Sequence, residues 1–500
     1  MPCNFGCSCQ IRRARCHSPL QGSSLQFLAL SFLTLFSGCL AVQRGQQFQQ
    51  GMGQCSLTNL NPLEPMRRLE YEGGYSEFWD SNNEQLRCAG VAVTRHVIGS
   101  RGLLLPSFNN APTMVFVIQG NGILGVMDPG CPETYQSVGQ IQGQQSEQGQ
   151  QRFRDQHQKI HQLYRGDVIA LPTGVAHWCH NEGNQDLVLV VVHHTANLEN
   201  QLDENLRRFF IAGNPQQQQR QGTYQGQQQP GQQRHQGVNI FQAFDAQILA
   251  QAFQVDQETV RKLQNENDNR GSIIRVRDEF RIVSPRREQQ FQEQQQGGGY
   301  YMNEKANGFE ETICSLRFRE NLANPERADI YTANGGSIAA LNSLNLPILR
   351  VLRLSAGRGL LRPAAMVAPH WNINAHSISY IARGNARVQI VGNSNRPVFD
   401  GEVREGQLLI VPQNFAHFKQ AGNQGCEWFT VKTNDQARTS PLVGKTSVIR
   451  AMPEEVLINA YQLSREEARR IKYNRQEVTI LSPQYSESQQ RGVEIPMSVV

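Results

Sequence analysis

Charge is what this chain of 500 residues has least of. Asp, Glu, Lys and Arg make up 18% of it, against roughly 25% in an average soluble chain. The formal net charge of +5 is too small to point to nucleic acid, and no Lys/Arg cluster interleaved with aromatics supports such a partner. The apolar stretch 25–40 falls short of the ~20 residues that span a bilayer, so no membrane partner is expected. It follows Arg12, Arg13 and Arg15, and Cys39 and Ala41 are small residues three and one positions before a cut ahead of Val42. That is the pattern of a signal peptide over 1–41, with the polar stretch 1–22 an unusual extension of it.

The motifs of common enzymes are missing as well. There is no Gly-x-Ser-x-Gly elbow, His-Glu-x-x-His pair or phosphate-binding glycine loop. Past Val42 the cysteines are Cys55, Cys88, Cys131, Cys179, Cys314 and Cys426. None forms a Cys-x-x-Cys pair, which argues against a zinc ribbon. An even set in a secreted chain permits disulfides, but six cysteines allow 15 pairings and the sequence does not choose among them.

Glutamine is abundant instead. Its amide does little acid–base chemistry but carries an extra nitrogen. Gln/Gly-rich inserts near 136–158 and 214–237, and a linker at 286–307, cannot bury a core. Between them, short apolar runs at 89–96, 102–105, 114–119, 123–127, 167–171 and 187–193 are punctuated by Gly, Pro and Asn, as in a sandwich or barrel. Segments 198–211, 240–253 and 256–264 read as helices, the last capped by Asp256, and 273–283 reads as a strand. The second half predicts strands at 348–354, 377–382, 386–391, 407–411 and 426–432, with a hairpin turn at Gly357-Arg-Gly359. Helices follow at 453–462 and 464–473, where Ser464-Arg-Glu-Glu467 fits a capping box.

The two halves repeat. Gly166-Asp-Val-Ile-Ala-Leu-Pro172-Thr-Gly174-Val-Ala-His177 aligns with Gly406-Gln-Leu-Leu-Ile-Val-Pro412-Gln-Asn414-Phe-Ala-His417 at an offset of 240. The helices repeat at an offset of 208, so that Ile248, Phe253, Val255 and Leu263 face Val456, Tyr461, Leu463 and Ile471. The expected fold is therefore mainly β: two barrels, each followed by a helical extension. Gly-x5-Pro-x-Gly-x2-His-x3-Asn is the second sequence box of cupin (jelly-roll) barrels. Residues 166–181 match every fixed position, whereas the second copy has Asn414 for Gly and Ala421 for the last Asn. In metal cupins that His joins a His-x-His pair and a Glu of the first box. The corresponding stretch of the first half has no His or acid. The second keeps His370 but has Asn372 in place of the next His. No cofactor is expected; His370, His376 and His417 are weak candidates for a metal, with a hydrogen-bonded core histidine as the simpler role.

With the repeat, the Gln-rich inserts and above all Asn307-Gly-Phe-Glu-Glu-Thr-Ile-Cys314, the mature chain resembles the legumin-type (11S) seed storage globulins, most of all a cereal glutelin. The resemblance implies a nutrient reservoir, not an enzyme, carried through the secretory pathway to the protein storage vacuole or protein body. It implies a cut between Asn307 and Gly308 by an Asn-specific vacuolar endopeptidase, giving an acidic first domain (42–285, with the linker) and a basic second one (308–500). The charges agree: 42–307 holds 23 Lys/Arg and 26 Asp/Glu, 308–500 holds 22 and 17. It also implies Cys55–Cys88 and Cys131–Cys314 disulfides, and self-assembly into trimers and then hexamers through the helical extensions. The alternatives are a metal-dependent bicupin enzyme and a small-ligand-binding cupin.

Overall fold

The computed structural model describes residues 57–483 apart from 81, 129, 132–134, 137–155, 159, 214–238, 266, 281, 283–313 and 315. Outside the described residues lie the signal segment with Ala41 and Val42, Cys55, the linker with Asn307 and Gly308, and nearly all of the two Gln-rich inserts.

The first half contributes β1 (Arg67–Tyr71), β2 (Gly74–Trp79), β3 (Ala92–Ile98), β4 (Gly102–Asn109), β5 (Thr113–Gln119), β6 (Asn121–Met127), a two-residue pair β7 (Tyr135–Gln136) and β8 (Gln156–His157), β9 (Ile160–Tyr164), β10 (Asp167–Leu171), β11 (Ala176–His180), β12 (Leu187–His193), β13 (Arg208–Phe210) and β14 (Ile273–Arg275). One antiparallel sheet runs β1-β2-β3-β12-β5-β10, the other β13-β4-β11-β6-β9 with β14 also on β4. A short helix α1 (Glu84–Ala89) opens on Asn83, whose side chain accepts the Gln85 and Leu86 amides. After the first barrel come a 3₁₀ turn (Ile240–Ala243), α2 (Ala246–Phe253) and α3 (Gln257–Gln264).

The chain then makes β15 (Arg319–Asn321), β16 (Ile330–Thr332), β17 (Gly336–Leu341), β18 (Ser355–Leu361), β19 (Met366–Asn372), β20 (Ser377–Val391), β21 (Pro397–Arg404), β22 (Leu408–Val411), β23 (Ala416–Lys432), β24 (Thr439–Pro441) and β25 (Ile480–Leu481). A single-turn helix α4 (Leu349–Leu352) lies among them, and α5 (Val448–Ala451), α6 (Glu454–Tyr461) and α7 (Arg465–Tyr473) form the second helical module. Strands β16 to β25 are linked as one antiparallel sheet, in which the long β20 and β23 pair along most of their length.

The two jelly rolls pack face to face, which explains why their central strands are apolar throughout. In β12, Leu187, Leu189 and Val191 fill the first barrel. Val190 and Val192 point the other way, into a core shared by both barrels, as the two-residue period of a strand requires. In β22, Leu409 and Val411 likewise line the second barrel, while Leu408 and Ile410 join the shared core. Phe116 and Phe429 meet there at 5.2 Å between ring centroids.

The domains also exchange arms. β15 pairs with β10 of the first barrel, and the Ala170 amide donates to the Phe318 carbonyl at 2.8 Å. In the other direction, the Leu60 amide donates to the Val398 carbonyl at 2.9 Å, and the Leu63 amide to that of Leu408 at 2.8 Å. Leu60 is buried in the second barrel.

Several local expectations are corrected. Residues 198–211 are not helical: Asn197, Asn200 and Asp203 accept the amides of Glu199, Leu202 and Asn205 in successive tight turns, a use of the backbone that competes with a helix. The segment 348–354 is α4 rather than a strand, because Leu346, Leu349 and Leu352, spaced by three, all enter the shared core. Gly357-Arg-Gly359 is inside β18 and not a turn. A Cβ on Gly359 would lie 2.0 Å from the Trp428 ring, so that glycine makes room for an indole. Segments 377–382 and 386–391 are one strand, bent where Gly384 takes φ +73°. Strand 273–283 stops at Arg275. Helix 240–253 breaks in two because Asp245 starts a new one, accepting the Gln247 and Ile248 amides.

Candidate functional site

The two copies of the second cupin box form the same turn, and their differences have local causes. Gly174 and Asn414 both sit in the left-handed region, at φ +76° and +66°, which Asn tolerates better than most side chains. Asn181 is fully buried and donates to the carbonyls of Ile98 and Gln185, both at 2.8 Å. Its counterpart Ala421 belongs to the apolar core of the second barrel, where no such partners need to be met.

His370 and His417 come together in the second barrel, directly paired across β19 and β23, with ring centroids 4.2 Å apart. His370 donates from Nδ1 to the Ala368 carbonyl at 2.8 Å, leaving Nε2 as an acceptor. Burial lowers its pKa to about 4, and burial together with His370 holds His417 well below the ordinary histidine value. Both rings are neutral at pH 7. His376 is not part of this pair: its Nδ1 accepts the Gln413 amide at 3.3 Å. Among the described residues no group of three or more His, Cys, Asp or Glu side chains could hold a metal. Lys419 and Lys432 are neighbours of the pair, each depressed to about 8 by burial, and Lys419 lies over the Trp428 ring at 4.0 Å. Asn372, which replaces the second histidine of a metal set, is wholly buried, and its amide atoms have no hydrogen-bond partner. Two cations beside two neutral imidazoles make a poor seat for a divalent metal.

In the first barrel His177 repeats the local device of His370, donating from Nδ1 to the carbonyl of Val175 two residues back. Around it is polarity that the sequence reading missed: His96, His193, Tyr71 and Arg208 line a cavity of about 40 Å³. His193 is the most tightly placed. Arg208 donates to its Nε2 at 3.3 Å, so that in the neutral ring Nδ1 carries the proton facing Thr113 Oγ1 at 3.0 Å. Burial is the main cause that lowers all three histidines, and Arg208 adds to it. Period-two spacing could have revealed Lys419, two residues beyond His417 on β23. Arg208 had no such signal, since it lay inside an apparent helix.

The cupin family model matches residues 60–217 and 320–469. The 11S globulin seed storage protein Ana o 2.0101 of Anacardium occidentale is 50% identical over 467 residues, covering 92% of this chain and 98% of its own. The chain belongs to the 11S seed storage globulins. Two solved structures agree. Pumpkin seed globulin is 45% identical with a TM-score of 0.74, covering 86% of this chain and 100% of its own. The 11S globulin from Wrightia tinctoria, whose structure reveals an auxin binding site, is 50% identical with a TM-score of 0.74, covering 86% and 97%. This globulin is thus a storage protein rather than an enzyme.

For a storage globulin the relevant geometry lies at its seams. Cys131 and Cys314 are joined by a disulfide that links the two halves. Cys88 is disulfide-bonded, and Cys55, the partner implied for it, lies outside the described residues. Cys179 and Cys426 are free and buried, their thiols pushed up by burial. The helical modules carry matching exposed apolar residues: Ile248 (60%) and Phe253 (52%) on α2, Val456 (47%) and Tyr461 (58%) on α6. These are equivalent positions of the repeat.

Proposed function

We propose that this globulin is a nutrient reservoir deposited in the protein storage vacuole or protein bodies, after removal of residues 1–41 ahead of Val42. An Asn-specific vacuolar endopeptidase then cuts it between Asn307 and Gly308 into an acidic and a basic chain. The observation that carries this reading is the Cys131–Cys314 disulfide, which spans the proposed cut and keeps the products together. The exchanged arms support it from a second direction, since each product would retain strand or amide pairing with the other's barrel. Compact disulfide-linked barrels resist early proteolysis, while Gln/Gly-rich inserts store nitrogen without requiring a core.

Assembly is proposed to pass from trimer to hexamer after cleavage. The exposed apolar faces of the two helical modules support head-to-tail contact, in which the module at 246–264 of one copy meets the module at 448–473 of the next.

Seed protein on a denaturing gel tests the processing. One large band is expected without reductant and two smaller bands with it, and sequencing the smaller product should begin at Gly308. A single full-length band under reduction overturns the cut, and a different first residue moves it elsewhere. Replacing Asn307 should preserve trimers and block the later step.

A further inference from the structure

We propose that the first barrel binds a small carboxylate anion, of two or three carbons, through Arg208. The guanidinium lies inside the jelly roll, beside the cavity of about 40 Å³. It donates to Thr94 Oγ1 and to His193 Nε2, both neutral acceptors. No described carboxylate forms an ion pair with it, although Asp or Glu meets other partly buried arginines here: Arg95 pairs with Glu77, Arg319 with Asp167 and Arg358 with Glu427.

Among the described residues, nothing else that faces Arg208 supplies negative charge. Burial keeps His96, His177 and His193 neutral and the Tyr71 phenol protonated. The remaining charged neighbour, Arg67, is itself a cation, and both guanidiniums lie over the Phe78 ring, at 4.4 and 5.3 Å. The cavity therefore holds a lasting buried positive charge whose described neighbours are neutral polar and apolar groups, a charge that an anion would offset.

A second, independent observation points into the same space. Ser272 is buried and lines the cavity beside the Tyr71 phenol, with a hydroxyl that can donate to one carboxylate oxygen. Arginine presents its N–H groups as a planar fork matched to a carboxylate. Leu104, Leu124 and Val191 also line the cavity and offer contact for a short alkyl group and none for a hydrated inorganic ion. The volume sets the size: it admits about three water-sized spheres, enough for an acetate-like ligand and too little for a bicyclic aromatic acid. The second barrel, with two lysines and an unpartnered Asn372, has a different donor set and is not part of this site.

Fluoroacetate and ¹⁹F NMR on the folded full-length protein provide the test. The fluorine line should broaden with wild-type protein and sharpen when acetate is added, but not with chloride at equal ionic strength. Arg208→Met keeps the bulk and removes the charge, and should weaken binding about 10- to 100-fold, as expected for a charge-assisted hydrogen bond. If that variant does not fold, Ser272→Val leaves the arginine in place and should still weaken binding several-fold. No broadening with wild type, displacement by chloride as effective as by acetate, or undiminished affinity in the folded Arg208→Met protein overturns the proposal. So does undiminished affinity in Ser272→Val.

Discussion

At the scale of single residues, the barrels differ from metal cupins in the groups placed around the histidines. Arg208 in the first barrel and Lys419 and Lys432 in the second depress imidazoles that burial has already made neutral. Another buried histidine gives this a measurable consequence. His194, between the barrels, accepts from Asn197 at 3.1 Å and has its pKa lowered to about 4 by burial, with Arg353 and His376 adding to the shift. Its folded pKa lies below its unfolded one, so the stability it contributes is complete above pH ~6.5 and is lost as pH falls toward 4. The loss is on the order of 3 kcal/mol. Urea unfolding at stepped pH should show this decline, and His194→Gln should flatten it by up to about 1.4 kcal/mol per pH unit. An unchanged slope in the variant would assign the decline to other groups.

At the scale of elements, the helical modules are the least self-sufficient parts. Asp256 caps α3 and a complete capping box starts α7, so local chemistry sets where these helices begin. What they leave uncovered is apolar: Ile248, Phe253, Val456, Tyr461 and Ile471 are all about half exposed or more. Phe253→Glu should leave the fold intact and release monomers, as judged by analytical ultracentrifugation. An unchanged oligomer would show that contact is made elsewhere. Start signals and the repeat were legible in the sequence. The errors, at 198–211 and 348–354, came where side chain–backbone turns or burial against the other barrel outweighed apparent periodicity.

At the scale of the whole molecule, the halves are interlocked. The strand at 319–321 sits in the first barrel's sheet, and the segment at 57–63 pairs with and packs on the second barrel. Arg165 reaches Glu427 at 2.6 Å, and Arg95 donates to Tyr380 at 2.9 Å. If the proposed cut at Asn307 is made, reduction without denaturant should therefore leave the two products eluting together in gel filtration. If they separate, the disulfide alone holds them.

The order of elements and the existence of two related barrels were determined by the sequence, because strand period, turn residues and the repeated box are local properties. So was the incompleteness of the metal-cupin ligand set, since the first half has no first-box His or acid and the second keeps only His370 of it. The environment of the histidines, the lone charge of Arg208 and the crossing of arms were decided only by the tertiary structure. Each depends on which distant strands become neighbours, and on how much water is excluded when they do.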